Sequence, residues 1–291
     1  MSTYKGIQGQ TVQSLSSDLT ASSDSVGQLW YNSEGGKFKI VQEGTGAWAT
    51  GGDMVSNSAA VAGIGTQTAA LGVGGGPPPG GLQTNQSYDG TTWTEDADVT
   101  NPRRAMSGGT GTQTAALIYG TSPSIALVEE WNGTAWSEVV DLNTARQWAS
   151  TSTAGTTTAA LCSGGGTSAP GSLVNEEYNG TSWTETADLN FARYMACGAG
   201  TSTSTLISGD ANAPEEDKTE SWNGTAWTAV ADLNGGGYSM AGGGASNTAA
   251  WVMGGTPEAK RRGSGISQTE LFNGTSWTDV ADVASPLENP G

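Results

Sequence analysis

The chain has no histidine and only two cysteines, Cys162 and Cys197, in 291 residues. Without histidine, no Ser-His-Asp or Cys-His catalytic unit can be assembled. A zinc site of the usual composition has too few ligands. Two cysteines imply no disulfide framework, and both read as small buried strand residues rather than as a bonded pair. Basic residues are scarce. Against 28 Asp and Glu stand 11 Lys and Arg, for a formal charge of −17. A surface of that sign repels phosphate backbones, so nucleic acid is not an expected partner. No stretch reaches the roughly 18 consecutive apolar residues of a membrane helix. The opening Met1-Ser-Thr-Tyr-Lys-Gly-Ile-Gln has no apolar signal core. The expectation is synthesis in a cytoplasm, without membrane insertion. Helical periodicity is absent as well.

What the chain does have is a repeated phrase. It reads Tyr88-Asp-Gly-Thr-Thr-Trp93, Trp131-Asn-Gly-Thr-Ala-Trp136, Tyr178-Asn-Gly-Thr-Ser-Trp183, Trp222-Asn-Gly-Thr-Ala-Trp227 and Phe272-Asn-Gly-Thr-Ser-Trp277, with a partial copy at Trp48. Successive tryptophans at 48, 93, 136, 183, 227 and 277 lie 45, 43, 47, 44 and 50 residues apart. A period near 45 marks stacked supersecondary units. Regular aromatic anchors also argue against the disorder that low hydrophobicity with net charge otherwise suggests. Asn-Gly favours a type I′ hairpin turn, which takes positive φ at both central residues. Aromatic contact across that turn would hold two short antiparallel strands together.

A second phrase keeps the same period: Gly65-Thr-Gln-Thr-Ala-Ala-Leu71, Gly111–Leu117, Gly155–Leu161, Gly200–Leu206 and Ala245–Trp251. Each is preceded by a small-residue strand and followed by a glycine-rich stop. Four strands per unit, repeated five times and arranged radially, predict an all-β fold, a five-bladed β-propeller. The blades are expected at about 50–98, 99–142, 143–188, 189–233 and 234–283, with a tail at 284–291. Residues 1 to about 27 read as an extended arm. Residues 28–41 read as an extra hairpin with a Gly35-Gly36 turn, and residues 1–49 together as a docking segment in which Trp30, Tyr31 and Phe38 carry the contact.

Several residues have competing readings. Asp53, Asp98, Asp141, Asp188, Asp232 and Asp282 each follow a repeat Trp by five residues. They could form a ring of Ca²⁺ ligands, but an Asx turn in each blade explains them better. Arg103, Arg146 and Arg193 follow three of these Asp residues by five. They would open the innermost strand and face the central channel, or pair with the neighbouring Asp or with carbonyls. The sequons at Asn132, Asn179, Asn223 and Asn273 are explained by the turn. Gly72-Val-Gly-Gly-Gly76 lacks the Gly-Lys-Ser/Thr of a phosphate loop. The repeat residues Trp93, Trp136, Trp183, Trp227 and Trp277 read as packing between blades before they read as sugar platforms.

The irregular part is the connection after each glycine-rich strand. These connections include Pro77-Pro78-Pro79, Glu215-Glu216-Asp217 and Lys260-Arg261-Arg262. Equivalent loops on a rigid scaffold would cluster on one face and are where recognition usually sits; the charged patches read equally as solvated decoration.

The glycine doublet ending one strand, followed by an aromatic residue and then a Trp, resembles the kelch motif over about residues 48–283. The doublet is degraded at Gly120-Thr121 and Gly209-Asp210. The wording Asn-Gly-Thr-Ser-Trp-Thr-Glu, with Ala-Asp-Leu-Asn and Ala-Arg after it, resembles kelch-like repeats of virion proteins from tailed marine bacteriophages. Gly27-Gln-Leu-Trp-Tyr-Asn-Ser-Glu-Gly-Gly-Lys-Phe-Lys39 resembles the linker near the N-termini of phage tail-fibre and appendage proteins. The resemblance implies a non-enzymatic virion structural protein with no cofactor. Its arm would be anchored to capsid or tail, and its propeller used for particle decoration or for attachment to a host receptor or glycan. The implied partners are other virion proteins, and oligomerisation is compatible with the role. The alternative is a soluble carbohydrate-binding propeller.

Overall fold

The computed structural model describes residues 13–15, 29–32, 37–40, 51–56, 60–76, 81–104, 108–121, 123–167, 170–212, 214–256, 265–283 and 286. The chain divides into two compact units, Met1–Ala47 and Trp48–Gly291. In the first, β1 (Gln13–Leu15), β2 (Leu29–Asn32) and β3 (Lys37–Ile40) form a three-stranded sheet in that order. The hairpin of β2 and β3 lies where the sequence places it, with Trp30 opposite Lys39 and Tyr31 opposite Phe38. Gly35-Gly36 lie outside the described residues. The arm is not wholly extended and free, because β1 pairs in parallel with β2.

The second unit is a five-bladed β-propeller, consistent with a kelch-like one. Each blade is an antiparallel meander of four strands. Blade 1 holds β4 (Ala62–Thr66), β5 (Ala69–Val73), β6 (Asn85–Tyr88) and β7 (Trp93–Glu95). Blade 2 holds β8 (Gly108–Thr112), β9 (Ala115–Tyr119), β10 (Val128–Trp131) and β11 (Trp136–Glu138). Blade 3 holds β12 (Ser150–Thr151), β13 (Ala160–Ser163), β14 (Asn175–Tyr178) and β15 (Trp183–Glu185). Blade 4 holds β16 (Cys197–Thr201), β17 (Ser204–Ser208), β18 (Thr219–Trp222) and β19 (Trp227–Ala229). Blade 5 holds β20 (Ala241–Ser246), β21 (Ala249–Met253), β22 (Thr269–Phe272) and β23 (Trp277–Asp279). The first strands pack side by side from β4 to β8, β8 to β12, β12 to β16 and β16 to β20. Glycine, alanine and serine in them permit that approach: a Cβ on Gly242 would lie 3.1 Å from the Cys197 sulfur of the neighbouring blade.

The repeat Trp phrase closes the third and fourth strands of each blade, but not through a type I′ turn. The aromatic and the Trp are cross-strand partners, so four residues form the loop. Only the Gly takes positive φ, at 92° in Gly133 for example, while no Asn of these turns does. The Asn works through its side chain. Asn132 Oδ1 accepts the N–H groups of Thr134 (2.9 Å) and Ala135 (3.0 Å), and Asn179, Asn223, Asn273 and Asp89 repeat this. A four-residue loop needs one left-handed residue and a cap for its free donors, and Asn-Gly supplies both. The paired rings lie 5.0–5.4 Å apart in all five blades.

Between blades, packing decides. Trp131 and Trp136 of blade 2 share a buried cluster with Ile64, Leu71 and Val73 of blade 1. Equivalent clusters join blades 2 and 3, 3 and 4, and 4 and 5. Tyr119 of blade 2 meets Trp183 of blade 3 edge-on at 5.1 Å. The residue after each connecting Asp (Val99, Leu142, Leu189 and Leu233) plugs the seam and is buried. Alternation along β21 and β5 turns Trp251, Met253 and Ala70 toward the fifth seam. There the described residues are less covered: those three and Trp93 are half-buried, and Leu271 is 45 % exposed.

Candidate functional site

Register places the variable connections. In every blade the second strand ends beside the start of the first, as in Val73 opposite Ala62 and Ser208 opposite Cys197. The loops that follow the second strands therefore gather on the face where the chain enters each inner strand. Pro77, Pro78, Pro79, Lys260, Arg261 and Arg262 belong to such loops but lie outside the described residues. Glu215, Glu216 and Asp217 are half-buried in a tight turn. Lys218 N donates to Glu215 O at 3.1 Å, Gly237 N to Glu216 O at 2.8 Å and Leu233 N to Asp217 O at 2.9 Å. Lys218 Nζ sits 3.1 Å from the Asp217 carboxylate and 2.7 Å from that of Asp232. This acidic patch is thus partly consumed in holding its own turn.

The stems of three of these loops are clamped by the arginines singled out above. The expectation that they face the channel is not met: Arg103, Arg146 and Arg193 are at most 1 % exposed. Their partner is not the preceding Asp but a Glu on the third strand of the same blade. Arg103 Nη2 lies 2.7 Å from Glu129, Arg193 Nη2 lies 3.0 Å from Glu220, and Arg146 pairs with Glu176. The carbonyl part of the expectation does hold. Arg193 Nη1 donates to Gly209 O and Lys218 O, both at 3.0 Å, and Arg146 Nη1 to Gly164 O (2.9 Å) and Val174 O (3.0 Å). Arg103 Nη1 donates to Leu127 O at 3.0 Å. One guanidinium thus ties the first and last residues of a loop to each other. The Arg backbone pairs with the loop of the preceding blade, as in Arg103 N to Leu82 O at 2.9 Å. The Glu also accepts a backbone N–H at the blade entrance, from Thr100 (2.7 Å), Asn143 (2.7 Å) or Asn190 (2.8 Å). Charge, carbonyls and donors are mutually satisfied, which is what lets an ion pair remain buried.

Among the described residues, blades 1 and 5 show no such clamp. The sequence puts Ser58 and Gly237 where the arginines stand. Gln86 replaces the Glu in blade 1, and its Oε1 accepts Val55 N at 2.8 Å and Ser56 N at 3.3 Å. Blade 5 keeps Glu270, which accepts Asn234 N and Gly235 N, both at 2.9 Å. Burial raises the Glu270 carboxyl above its ordinary value, against the pull of those two N–H groups.

Asp141 and Asp282 do not close their own loops as Asx turns. Asp141 Oδ1 accepts Val128 N, and Asp282 Oδ2 accepts the Ser267 hydroxyl. Each reaches back to the entry of the third strand. Among the described residues no cluster of His, Cys, Asp or Glu could hold a metal ion, and no helix is long and apolar enough to cross a membrane. The repeat tryptophans at 136, 183, 227 and 277 are buried. Cys162 and Cys197 are free and buried, and burial pushes both thiols up to about 12.

At the mouth of the axis the backbone does something the sequence did not announce. Ala60, Trp148, Met195 and Ser239 are equivalent residues of blades 1, 3, 4 and 5, and all have φ between 51° and 61°. Left-handed conformations cost non-glycine residues roughly 1–2 kcal/mol each. The return is an inter-blade bond, with Met195 N donating to Trp148 O at 3.1 Å and Ser239 N to Met195 O at 2.9 Å. Inside this collar lies a half-open cavity of about 130 Å³, walled by the first halves of the inner strands. Just outside it, Asp210 is buried beside Tyr194, whose N–H it accepts at 3.1 Å. Burial pushes its carboxyl up to about 6.

The chain's sequence matches no protein-family model and no curated protein.

Proposed function

We propose that the chain is a non-enzymatic structural protein of a bacteriophage virion, with the N-terminal unit as its anchor on capsid or tail and the propeller as the part presented outward for host-surface attachment or particle decoration. The carrying observation is the division of labour between clamp and loop. Buried Arg–Glu pairs fix the loop stems in blades 2–4, so loops of unlike length and charge share one face of a rigid scaffold. That is the construction of a presentation surface rather than of a reaction centre. The resemblance of the repeat wording to phage virion repeats, and of residues 27–39 to appendage linkers, supplies the particle. Mass spectrometry of purified virions tests the reading: the chain is expected at stoichiometric abundance, and its absence from particles would end it. A free-standing carbohydrate-binding propeller is the second reading, favoured by the central cavity. It predicts full glycan binding after removal of residues 1–41 and no association with particles.

A further inference from the structure

We propose that the central cavity is a binding site for one uncharged sugar ring, the terminal residue of a neutral surface polysaccharide. The inference rests on the reading of the propeller as the outward part of the protein and names what its axis would hold. Three observations carry it.

The first is size. An apolar cavity of about 150 Å³ accepts a six-membered aromatic ring, so the 130 Å³ here suits a single ring whose substituents leave through the open side. The second is charge. None of the described wall residues carries a charged side chain, although the protein carries −17 overall. A charged ligand would enter without a counter-charge, and an anionic one would also meet the field of the whole protein. The third is unspent hydrogen bonding beside apolar surface. Thr153 and Ser239 line the cavity; the hydroxyl oxygen of each is turned away from solvent and has no hydrogen-bond partner, so a χ1 rotation that brings it to a ligand breaks no existing bond. Buried hydroxyls without partners are uncommon and point to a group that supplies them. The inner strands β4, β8, β12, β16 and β20 are each the end strand of their sheet. Their outer edges offer peptide groups toward the axis. Trp148 and Met195, both half-buried, complete the wall at the mouth. A pyranose has hydroxyls around its rim and C–H groups on its faces, which matches this mixture.

The structure also provides a plug. Among the cavity glycines, Gly63 alone has nothing within 4 Å of where a Cβ would stand, and its φ is not left-handed. Gly63→Leu should therefore fill the site without moving the fold.

The probes are methyl glucopyranoside, methyl galactopyranoside, methyl mannopyranoside and N-acetylglucosamine, with glucuronate as the charged control. They are titrated into the full chain by ligand-observed NMR and tryptophan fluorescence. At least one neutral probe is expected to bind with a dissociation constant of roughly 1 mM, the range for a ligand of that size. Gly63→Leu should weaken it by at least about tenfold at an unchanged melting temperature, and Thr153→Val or Ser239→Ala by about threefold or more. Failure of all neutral probes to bind, tighter binding of glucuronate, or undiminished affinity in Gly63→Leu would each overturn the proposal. Should Gly63→Leu not fold, unchanged affinity in both hydroxyl variants overturns it equally. Virion mass spectrometry bears only on the anchoring role, so each claim can fall alone.

Discussion

Blades 2, 3 and 4 differ from blades 1 and 5 in how the same repeat is held together. The inner three carry a buried guanidinium that joins both ends of a surface loop to a Glu on the third strand. At the corresponding positions the end blades carry Gln86 or Glu270 on the third strand, and Ser58 or Gly237 in place of the arginine. Their shared seam is also the one whose described residues are half-buried rather than buried. Local hairpin chemistry is thus identical in all five units, while the long-range locks are concentrated in three. A radial repeat can tolerate this because each blade needs only its neighbours.

The largest effect should come from breaking a lock. Glu176→Gln leaves Arg146 buried without a counter-charge and is expected to cost about 3–5 kcal/mol. Chemical denaturation would read that loss. The same change in blade 5, Glu270→Gln, should do the opposite. Gln86 already shows that a neutral amide can accept the two entrance N–H groups. Removing a carboxylate whose ionised form is disfavoured by burial should raise the melting temperature at neutral pH. Equal destabilisation by the two variants would erase the distinction drawn between the blades.

Truncating a seam tryptophan comes next. Trp222→Ala, in the cluster between blades 3 and 4, should cost about 3–5 kcal/mol. Trp93→Ala, at the half-buried seam, should cost roughly half as much, since less apolar area leaves water there.

A smaller effect is expected from pH. Asp210 has a folded-state value of about 6, raised by burial, against about 3.9 for an unperturbed Asp. The folded state therefore holds its proton more tightly. The stability this group contributes is complete below about pH 4 and is lost as the pH climbs to about 6. Asp210→Asn should flatten the melting temperature across that interval, and a slope unchanged from wild type would refute the assignment. The smallest effect belongs to the turn. Asn223→Ala removes the cap on Thr225 N and Ala226 N and should cost about 1 kcal/mol, nearly the same in any blade.

How much of this the sequence reveals follows from the range of the interaction. The aromatic pair and the Asn-Gly turn lie within six residues, so their period gives the blade count and the all-β class. The turn type is not legible in the sequence, because Asn serves equally as a left-handed residue and as a side-chain cap, and only the strand register separates the two. The arginines were visible, but their partners were not, since Glu129, Glu176 and Glu220 lie 26 to 30 residues away. A signal did exist. Two residues before each repeat aromatic stands Glu, or Gln in blade 1. The collar had none. Ala60, Trp148, Met195 and Ser239 share no side-chain property, because what they share is a backbone angle.

That indifference to side chain has an evolutionary consequence. The strain at the mouth is borne by the main chain, and main-chain bonds link Trp148 to Met195 and Met195 to Ser239 across adjoining blades. One bulky aromatic, one thioether, one alcohol and one methyl therefore occupy sites of equal rank. A lineage could exchange any of them, and so retune whatever enters the axis, while the ring beneath stays shut.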